Sequence, residues 1–414
     1  MKNYLTLFIV LQLAISAQCQ QKPITNFKFG ADVFIDEYLE LIKNKRIGIV
    51  TNHTAVLSSG KHLVDSLFKL NGIHISALFG PEHGIRGDNS AGDLIPNQVD
   101  EKTGIPIHSL YGKVRKPTQE MLKGIDILIF DIQDVGARFY TYISTLFYVL
   151  QAAAENNIPI LVLDRPNPIT GVYVDGPIRH PDLSSFVGIA PLPIVHGMTI
   201  GELAEYFVGE KMIGDHVKVN LTVIKMKNWQ RELFYDYFFS GWTNPSPNIS
   251  SLETAIVYPG TCLVEGINVS EGRGTAKPFL TIGAPYINSK ELINELNKYK
   301  IKGVEFSAAM FTPKSIPGIA SNPKYKDEKC FGVEIKVTNR NELESVKFGI
   351  ILISVLNQLY PNNLKFRESA FDRLSGDTII RKQILQGLSA KEIINFYQYD
   401  LNNFKKIREK YLLY

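Results

Sequence analysis

From Arg46 onward the chain alternates short, β-like, mostly apolar runs with longer stretches in which apolar residues recur at helical spacing. Ile47-Gly-Ile-Val50, Ile73–Phe79, Ile125–Phe130 and Ile158–Leu163 are of the first kind. Runs of this type fit strands covered on both faces. Between them lie Lys61–Leu70, with Leu63, Val64, Leu67, Phe68 and Leu70 apolar, and Tyr142–Ala154. In the latter, Ile143, Leu146, Phe147, Leu150 and Ala154 share one helix face. Strand–helix–strand alternation predicts a parallel sheet with right-handed crossovers, an α/β Rossmann-like layer.

The pattern fades after about Val223. The segment from Trp229 to Pro285 is rich in Pro, Gly, Asn and Ser, which predicts surface chain running between two domains. Beyond it, a helix over Ser289–Tyr299, β-like runs at Val304–Ala309 and Gly332–Val337, and an amphipathic helix over Glu342–Leu359 predict a smaller α+β domain. Two further helices are expected within Asp377–Tyr414. The organisation read from the pattern is a Rossmann-like domain over 24–228 and a C-terminal domain over 229–414.

With 414 residues, 45% hydrophobic and 21% charged, the chain is globular and long enough for two domains. A net charge of +4 without a long basic run argues against nucleic acid as a partner. At the N-terminus, Lys2 precedes the apolar stretch Leu5–Ile15 and the small and polar residues Ala17-Gln-Cys-Gln20. This is the build of a signal peptide over residues 1–20, too short for a membrane span. It predicts export, with lipid attachment at Cys19 as the alternative. Cys262 and Cys330 then remain, and two separate buried thiols are favoured over a pair. No later segment reaches 18 uninterrupted apolar residues.

Candidate chemistry is concentrated in four loop-like segments. They read Gly80-Pro-Glu-His-Gly-Ile-Arg-Gly87, Asp131-Ile-Gln-Asp-Val-Gly-Ala-Arg-Phe-Tyr-Thr-Tyr142, Asp164-Arg-Pro-Asn-Pro168 and Glu265-Gly-Ile-Asn-Val-Ser-Glu-Gly-Arg-Gly-Thr275. The first three follow strand-like runs, and in open α/β sheets ligands bind outside the carboxyl ends of the strands. The chain has no G-x-G-x-x-G after its first strand, no phosphate-binding P-loop, no G-x-S-x-G elbow and no H-E-x-x-H. No spacing among His53, His83 and His196 demands a metal, and no cofactor is called for.

Carboxylates, arginines and aromatics remain. Glu82, after the turn pair Gly80-Pro81, is placed to act as a general acid, with Asp131, Asp134, Glu265 and Glu271 as acidic candidates for a partner. Arg86, Arg138 and Arg273 are candidate anion anchors. Tyr140 and Tyr142 suit stacking on a sugar face or core packing equally. Asp164 and Asn167 sit on a turn fixed by two prolines, as ligand groups or as parts of a rigid loop. Thr199 and Glu202 read as a capping box, leaving His196 to face a cleft.

These segments, with Gly48-Ile-Val-Thr-Asn-His53, Ser109-Leu-Tyr-Gly112, His196-Gly-Met-Thr199 and Pro245-Ser-Pro-Asn248, closely resemble the NamZ-type exo-β-N-acetylmuramidases, a bacterial family once known only as a domain of unknown function. The resemblance spans about residues 30 to 285. It implies a cleft between a Rossmann-like domain and a smaller one, and release of terminal N-acetylmuramic acid from non-reducing ends of peptidoglycan fragments in the periplasm. It also implies that an arginine holds the lactyl carboxylate, and that His83, His196 and the amides of Asn52, Gln133, Asn167, Asn248 and Asn268 bind the sugar. The catalytic pair is expected to be Glu82 with Asp131, Glu265 or Glu271. A muropeptide-binding protein without catalysis is the alternative; an amidase or esterase would need a nucleophile or metal that the sequence does not show.

Overall fold

The structure, a computed structural model, describes residues 26–87, 98–214 and 218–414. The expected leader, with Cys19, lies outside these residues. Seven strands form the first sheet: β1 (Arg46–Thr51), β2 (His74–Gly80), β3 (Gln98–Val99), β4 (Pro106–Ser109), β5 (Ile127–Asp131), β6 (Ile160–Leu163) and β7 (Leu221–Ile224). Their order is β3-β4-β2-β1-β5-β6-β7, and every pair is parallel except β3–β4. Every residue of β5 and β6 is buried, as their unbroken apolar runs predict.

The chain moves outward from β1 in one direction through β2 and β4, and in the other through β5, β6 and β7. Such a reversal opens a crevice at the carboxyl ends of the strands. The register sharpens the point: Val50 pairs with both Phe79 and Phe130, and Thr51 with Asp131. The loops beginning at Asn52, Pro81 and Ile132 therefore start side by side, although they lie far apart in the chain.

Helices α1 (Gly30–Glu37), α2 (Leu63–Leu67), α3 (Tyr142–Glu155) and α4 (Ile200–Gly209) accompany this sheet. α2 is shorter than its apolar pattern predicts. Phe68 and Leu70 are exposed, so extending the helix would bury nothing. α4 begins with the expected capping box, in which Thr199 accepts from the Glu202 amide and Glu202 accepts from the Thr199 amide.

The second part comprises α5 (Leu252–Thr261), β8 (Thr281–Ala284), α6 (Ser289–Lys298), β9 (Val304–Phe311), β10 (Cys330–Val337), α7 (Ser345–Leu359), α8 (Glu368–Ser375), α9 (Thr378–Leu385), α10 (Ala390–Phe396) and α11 (Gln398–Arg408). β8, β10 and β9 form an antiparallel sheet in that order. Three helices rather than two fill the stretch from Asp377, because Gln386–Ser389 breaks one apolar face into two.

The larger correction concerns α5. It lies inside the stretch that composition assigns to surface chain, yet Thr254 through Thr261 are all buried. Pro259 and Gly260 mask its helical signal. Gly260 is required by packing: a Cβ there would come within 1.8 Å of the Ser345 carbonyl oxygen, so α5 and α7 meet backbone to backbone. The end of the chain returns to the first sheet, where the Leu413 amide donates to Glu202 and the Tyr414 hydroxyl to Asp164. Among the described residues no helix is long and apolar enough to cross a membrane. Cys262 and Cys330 are buried free thiols.

Candidate active site

A cleft of about 150 Å³ opens beside the β2 loop. Glu82, His83, Tyr140 and Thr141 line it from the first part of the chain, Tyr258, Cys262, Glu265 and Arg273 from the second, and Ser246 from the connecting loop. Both parts of the chain therefore build it. The β2 loop turns sharply at two consecutive left-handed residues, His83 with φ 73° and Gly84 with φ 74°. Outside glycine that conformation is uncommon, with Asn, Asp and His the side chains that adopt it most often, and it turns Glu82 and His83 into the same cleft. The Thr141 hydroxyl donates to Glu82 Oε2 at 2.9 Å.

Tyr140 and Tyr142 meet edge to face with ring centroids 4.9 Å apart. Neither stacks as an open platform. Tyr142 is buried and donates to the Pro245 carbonyl at 2.7 Å, tying α3 to the connecting loop. The Tyr140 hydroxyl lies beside Ser246 without a formed hydrogen bond. Burial, with the Glu82 and Asp134 charges behind it, pushes both phenols well above their ordinary range. They act here as neutral donors.

In the second part Arg273 Nε and Nη2 donate to Glu265 Oε1 at 2.9 and 2.7 Å, and Nε lies 3.5 Å from Glu271. Its guanidinium rests on the Phe279 ring at 5.0 Å. Lys324 Nζ is 3.1 Å from Glu271. Two cations thus balance two carboxylates. Glu265 faces the cleft, whereas Glu271 is buried beside it. Burial raises the Cys262 thiol far above its usual value, so it is present as a thiol.

Several expected site residues are committed elsewhere. Asp131, fully buried, receives Arg165 Nε and Nη2 at 2.5 and 2.9 Å, one on each oxygen, so it serves as the buried partner of Arg165. Arg86 is held by Asp100 and Asp65, and it faces a separate surface depression with Lys61, Lys69 and Lys102. Arg138 is buried and donates to the carbonyls of Pro177, Leu192 and Leu374, stapling the end of α8 to the first part. Burial and the nearby Arg179 bring its guanidinium down to about 9. Asp164 accepts from Thr199, the Gly201 amide and Tyr414, which makes it an anchor for α4 and the chain end.

Asn167 is used by Met198 and Ile169, and Asn268 by Asn363, Lys365 and Tyr286, so both belong to rigid loops. His196 is a core histidine whose Nδ1 accepts from the Met198 amide. Burial, with Arg408 and Arg138 near it, lowers it to about 3, so it stays neutral.

A different group keeps unmatched valences. Asn52 Nδ2, Gln133 Oε1, Asp134 Oδ1, the Tyr140 hydroxyl and Asn248 Oδ1 are buried polar atoms without a hydrogen-bond partner. Each such atom costs about 1–3 kcal/mol. All but Asn248 follow β1 or β5, the strands flanking the crevice. Asp134 is the most telling: Oδ2 accepts from the Gly136 amide at 2.7 Å, Oδ1 has no donor, and desolvation pushes the group up to about 7. Unmatched buried atoms occur elsewhere too, among them Arg138 Nε, His196 Nε2, Trp229 Nε1 and Gln383 Oε1, but those after β1 and β5 lie where ligands of open α/β sheets bind.

Sequence reasoning passes over Thr141, Ser246, Tyr258 and Cys262. The first two sit inside quoted motifs and are detectable there. The last two lie on or beside α5, whose helical pattern Pro259 and Gly260 obscure.

An open α/β sheet with a polar crevice at its switch point, closed by a second part that brings an arginine-bound carboxylate into the cleft of Glu82, defines a small-molecule enzyme of carboxylate chemistry. The comparisons give the family. The N-terminal model of exo-β-N-acetylmuramidase NamZ matches residues 47–253 and its C-terminal model residues 256–414. The chain belongs to the NamZ exo-β-N-acetylmuramidase family. It is 48% identical over 398 residues, 96% of this chain and 93% of the relative, to the peptidoglycan β-N-acetylmuramidase NamZ of Bacillus subtilis strain 168. Two crystal structures of DUF1343 family proteins from Bacteroides fragilis share the fold. One has a TM-score of 0.86 at 33% identity, covering 95% of this chain and all of the other; the second has 0.75 at 36%, covering 94% and 99%.

Proposed function

We propose that this protein is an exported exo-acting glycoside hydrolase that removes terminal N-acetylmuramic acid from the non-reducing ends of peptidoglycan fragments. The observation that carries the reading is that Glu82 and Glu265, from the two parts of the chain, line one cleft in a chain of the NamZ family. Glu82, held by Thr141, donates the proton that the departing sugar oxygen needs. Glu265, fixed by Arg273, faces the sugar as an acceptor for its hydroxyls. Its place in the periplasm, free or anchored through Cys19, sets the enzyme beside the cell wall.

Of the three arginines expected to recognise the lactyl carboxylate, Arg273 alone lines this cleft. Two of its five N–H donors are engaged by Glu265, which leaves donors for a second carboxylate. Replacing Arg273 with Met is expected to raise KM for a β-N-acetylmuramide by about 10- to 100-fold, the scale of one lost charged hydrogen bond. Turnover of the matching β-N-acetylglucosaminide, expected to be weak, should change little. Equal losses on both sugars would assign Arg273 to holding Glu265 and Glu271 instead.

The exo mode is tested with peptidoglycan glycan strands stripped of peptide. Free N-acetylmuramic acid should appear from the first minute from strands with that sugar at the non-reducing end, one molecule per strand, and release should stop once N-acetylglucosamine is the new terminus. Early release of disaccharides or longer pieces would mark an endo-acting enzyme. Tight retention of strands with no release would favour a binding protein.

A further inference from the structure

Hydrolysis by a carboxylate pair needs a second carboxylate able to attack the anomeric carbon or to deprotonate water. The described residues offer poor candidates. Asp131 is closed off by Arg165, Glu265 is gripped by Arg273, and Glu271 is buried between Arg273 and Lys324. The structure offers instead two unmatched buried groups of opposite hydrogen-bonding character. Asp134 Oδ1 is an acceptor without a donor, and the Tyr140 hydroxyl is a donor without an acceptor. Asp134 is 6% exposed and Tyr140 8% exposed. They lie within electrostatic reach of each other, and Tyr140 lines the cleft that holds Glu82.

One acceptor and one donor close enough to influence each other electrostatically match the two ends of a secondary amide, which presents one N–H and one carbonyl oxygen. N-acetylmuramic acid carries such a group at C2, next to the anomeric carbon. We propose that bond cleavage is substrate-assisted: the acetamido oxygen of the sugar attacks its own anomeric carbon, while Asp134 accepts the amide N–H and Tyr140 orients the acetamido carbonyl. The inference rests on the muramidase reading given above.

In the first step an electron pair on the acetamido oxygen forms the bond to C1. The bond from C1 to the leaving oxygen breaks, its pair stays on that oxygen, and Glu82 supplies the proton. The amide nitrogen passes its proton to the Asp134 carboxylate, so the ring formed is a neutral oxazoline. In the second step water attacks C1, the Glu82 carboxylate takes the water proton, and the bond from C1 to the former acetamido oxygen breaks. Asp134 returns its proton to nitrogen. Water is the sole co-reactant, and the product keeps the β configuration. A carboxyl group that desolvation holds near neutrality suits both halves of this exchange.

The test is a series of 4-nitrophenyl β-muramides whose N-acyl group carries zero, one, two or three fluorines, turned over by the purified protein. Fluorine withdraws electrons from the attacking oxygen, so kcat/KM should fall by about tenfold per fluorine, or ~1.4 kcal/mol of barrier each. A flat series with normal turnover of the parent would overturn the proposal and leave the muramidase reading intact. No turnover of the parent would overturn both.

Calorimetry with the thiazoline analogue of N-acetylmuramic acid, a stable mimic of the cyclised sugar, gives a second readout. The wild-type protein should bind it at least about 100-fold tighter than the free sugar, as expected of a transition-state mimic. Asp134→Asn and Tyr140→Phe should each erase that preference while still binding the free sugar. A preference that survives in both folded variants would contradict the roles given to these residues.

Discussion

Glu82→Gln is expected to lower kcat on the disaccharide of N-acetylmuramic acid linked β-1,4 to N-acetylglucosamine by about 10²- to 10⁴-fold, the usual contribution of a positioned general acid. The fold should be unaffected. Glu82 is only partly buried, and the hydrogen bond it accepts from the Thr141 hydroxyl at 2.9 Å can be made to a Gln oxygen as well. The loss should depend on the leaving group. A sugar alkoxide cannot depart without a proton, whereas nitrophenolate is stable enough to leave largely unaided. The variant should therefore keep much more of its activity on the nitrophenyl muramide than on the disaccharide. A uniform loss on both substrates would assign Glu82 to binding, and near-normal turnover of the disaccharide would remove it from the mechanism.

Arg165→Met is expected to destabilise the protein by about 3–5 kcal/mol, because it leaves the Asp131 carboxylate buried without its counter-charge. Asp131 and Arg165 are exposed by no more than 1% in their side chains. Arg165 also donates to the Val56 carbonyl and lies over the Phe29 ring at 5.0 Å, so it joins β5 to the segments flanking β1. Urea unfolding measures the loss. Asp131→Asn separates the structural role from a catalytic one. It retains an acceptor for the guanidinium, so kcat should stay within a few-fold of wild type at temperatures where the variant is folded. A fall of 10²-fold or more in a folded Asp131→Asn protein would return Asp131 to the reaction.

These two residues show what the sequence could convey. Glu82 and Asp131 look alike in the chain: both are acidic, both sit at the carboxyl end of a β-like run, and both lie near an arginine. What separates them is the partner that folding supplies. Arg165 reaches Asp131 from the loop after β6, a contact across 34 residues. Arg86, four residues from Glu82, is drawn away by Asp100 and Asp65. The same limit explains Arg138 and Asp164. Each reads as a ligand-binding residue by type and place, and each is spent on carbonyls or helix ends that no local pattern reveals.

The alternating architecture was legible because strands covered on both faces are predominantly apolar, as β1, β5 and β6 are, and β2 is over its buried second half. The edge pair β3–β4 was not, since two- and four-residue strands carry too few positions to set a period. Nor was α5, where Pro259 and Gly260 serve the crossing with α7 at the expense of helix propensity. Missing α5 hid Tyr258 and Cys262. The clusters themselves were visible, and the parallel register explains why they converge.

The central claim is that the Glu82 cleft hydrolyses β-linked N-acetylmuramic acid. It is tested most directly by incubating the purified protein with a chromogenic β-N-acetylmuramide and, in parallel, the matching β-N-acetylglucosaminide. Colour from the muramide and little or none from the glucosaminide is the expected result. No colour from either sugar, with tight binding of muropeptides by calorimetry, would contradict the claim and leave a binding protein in its place.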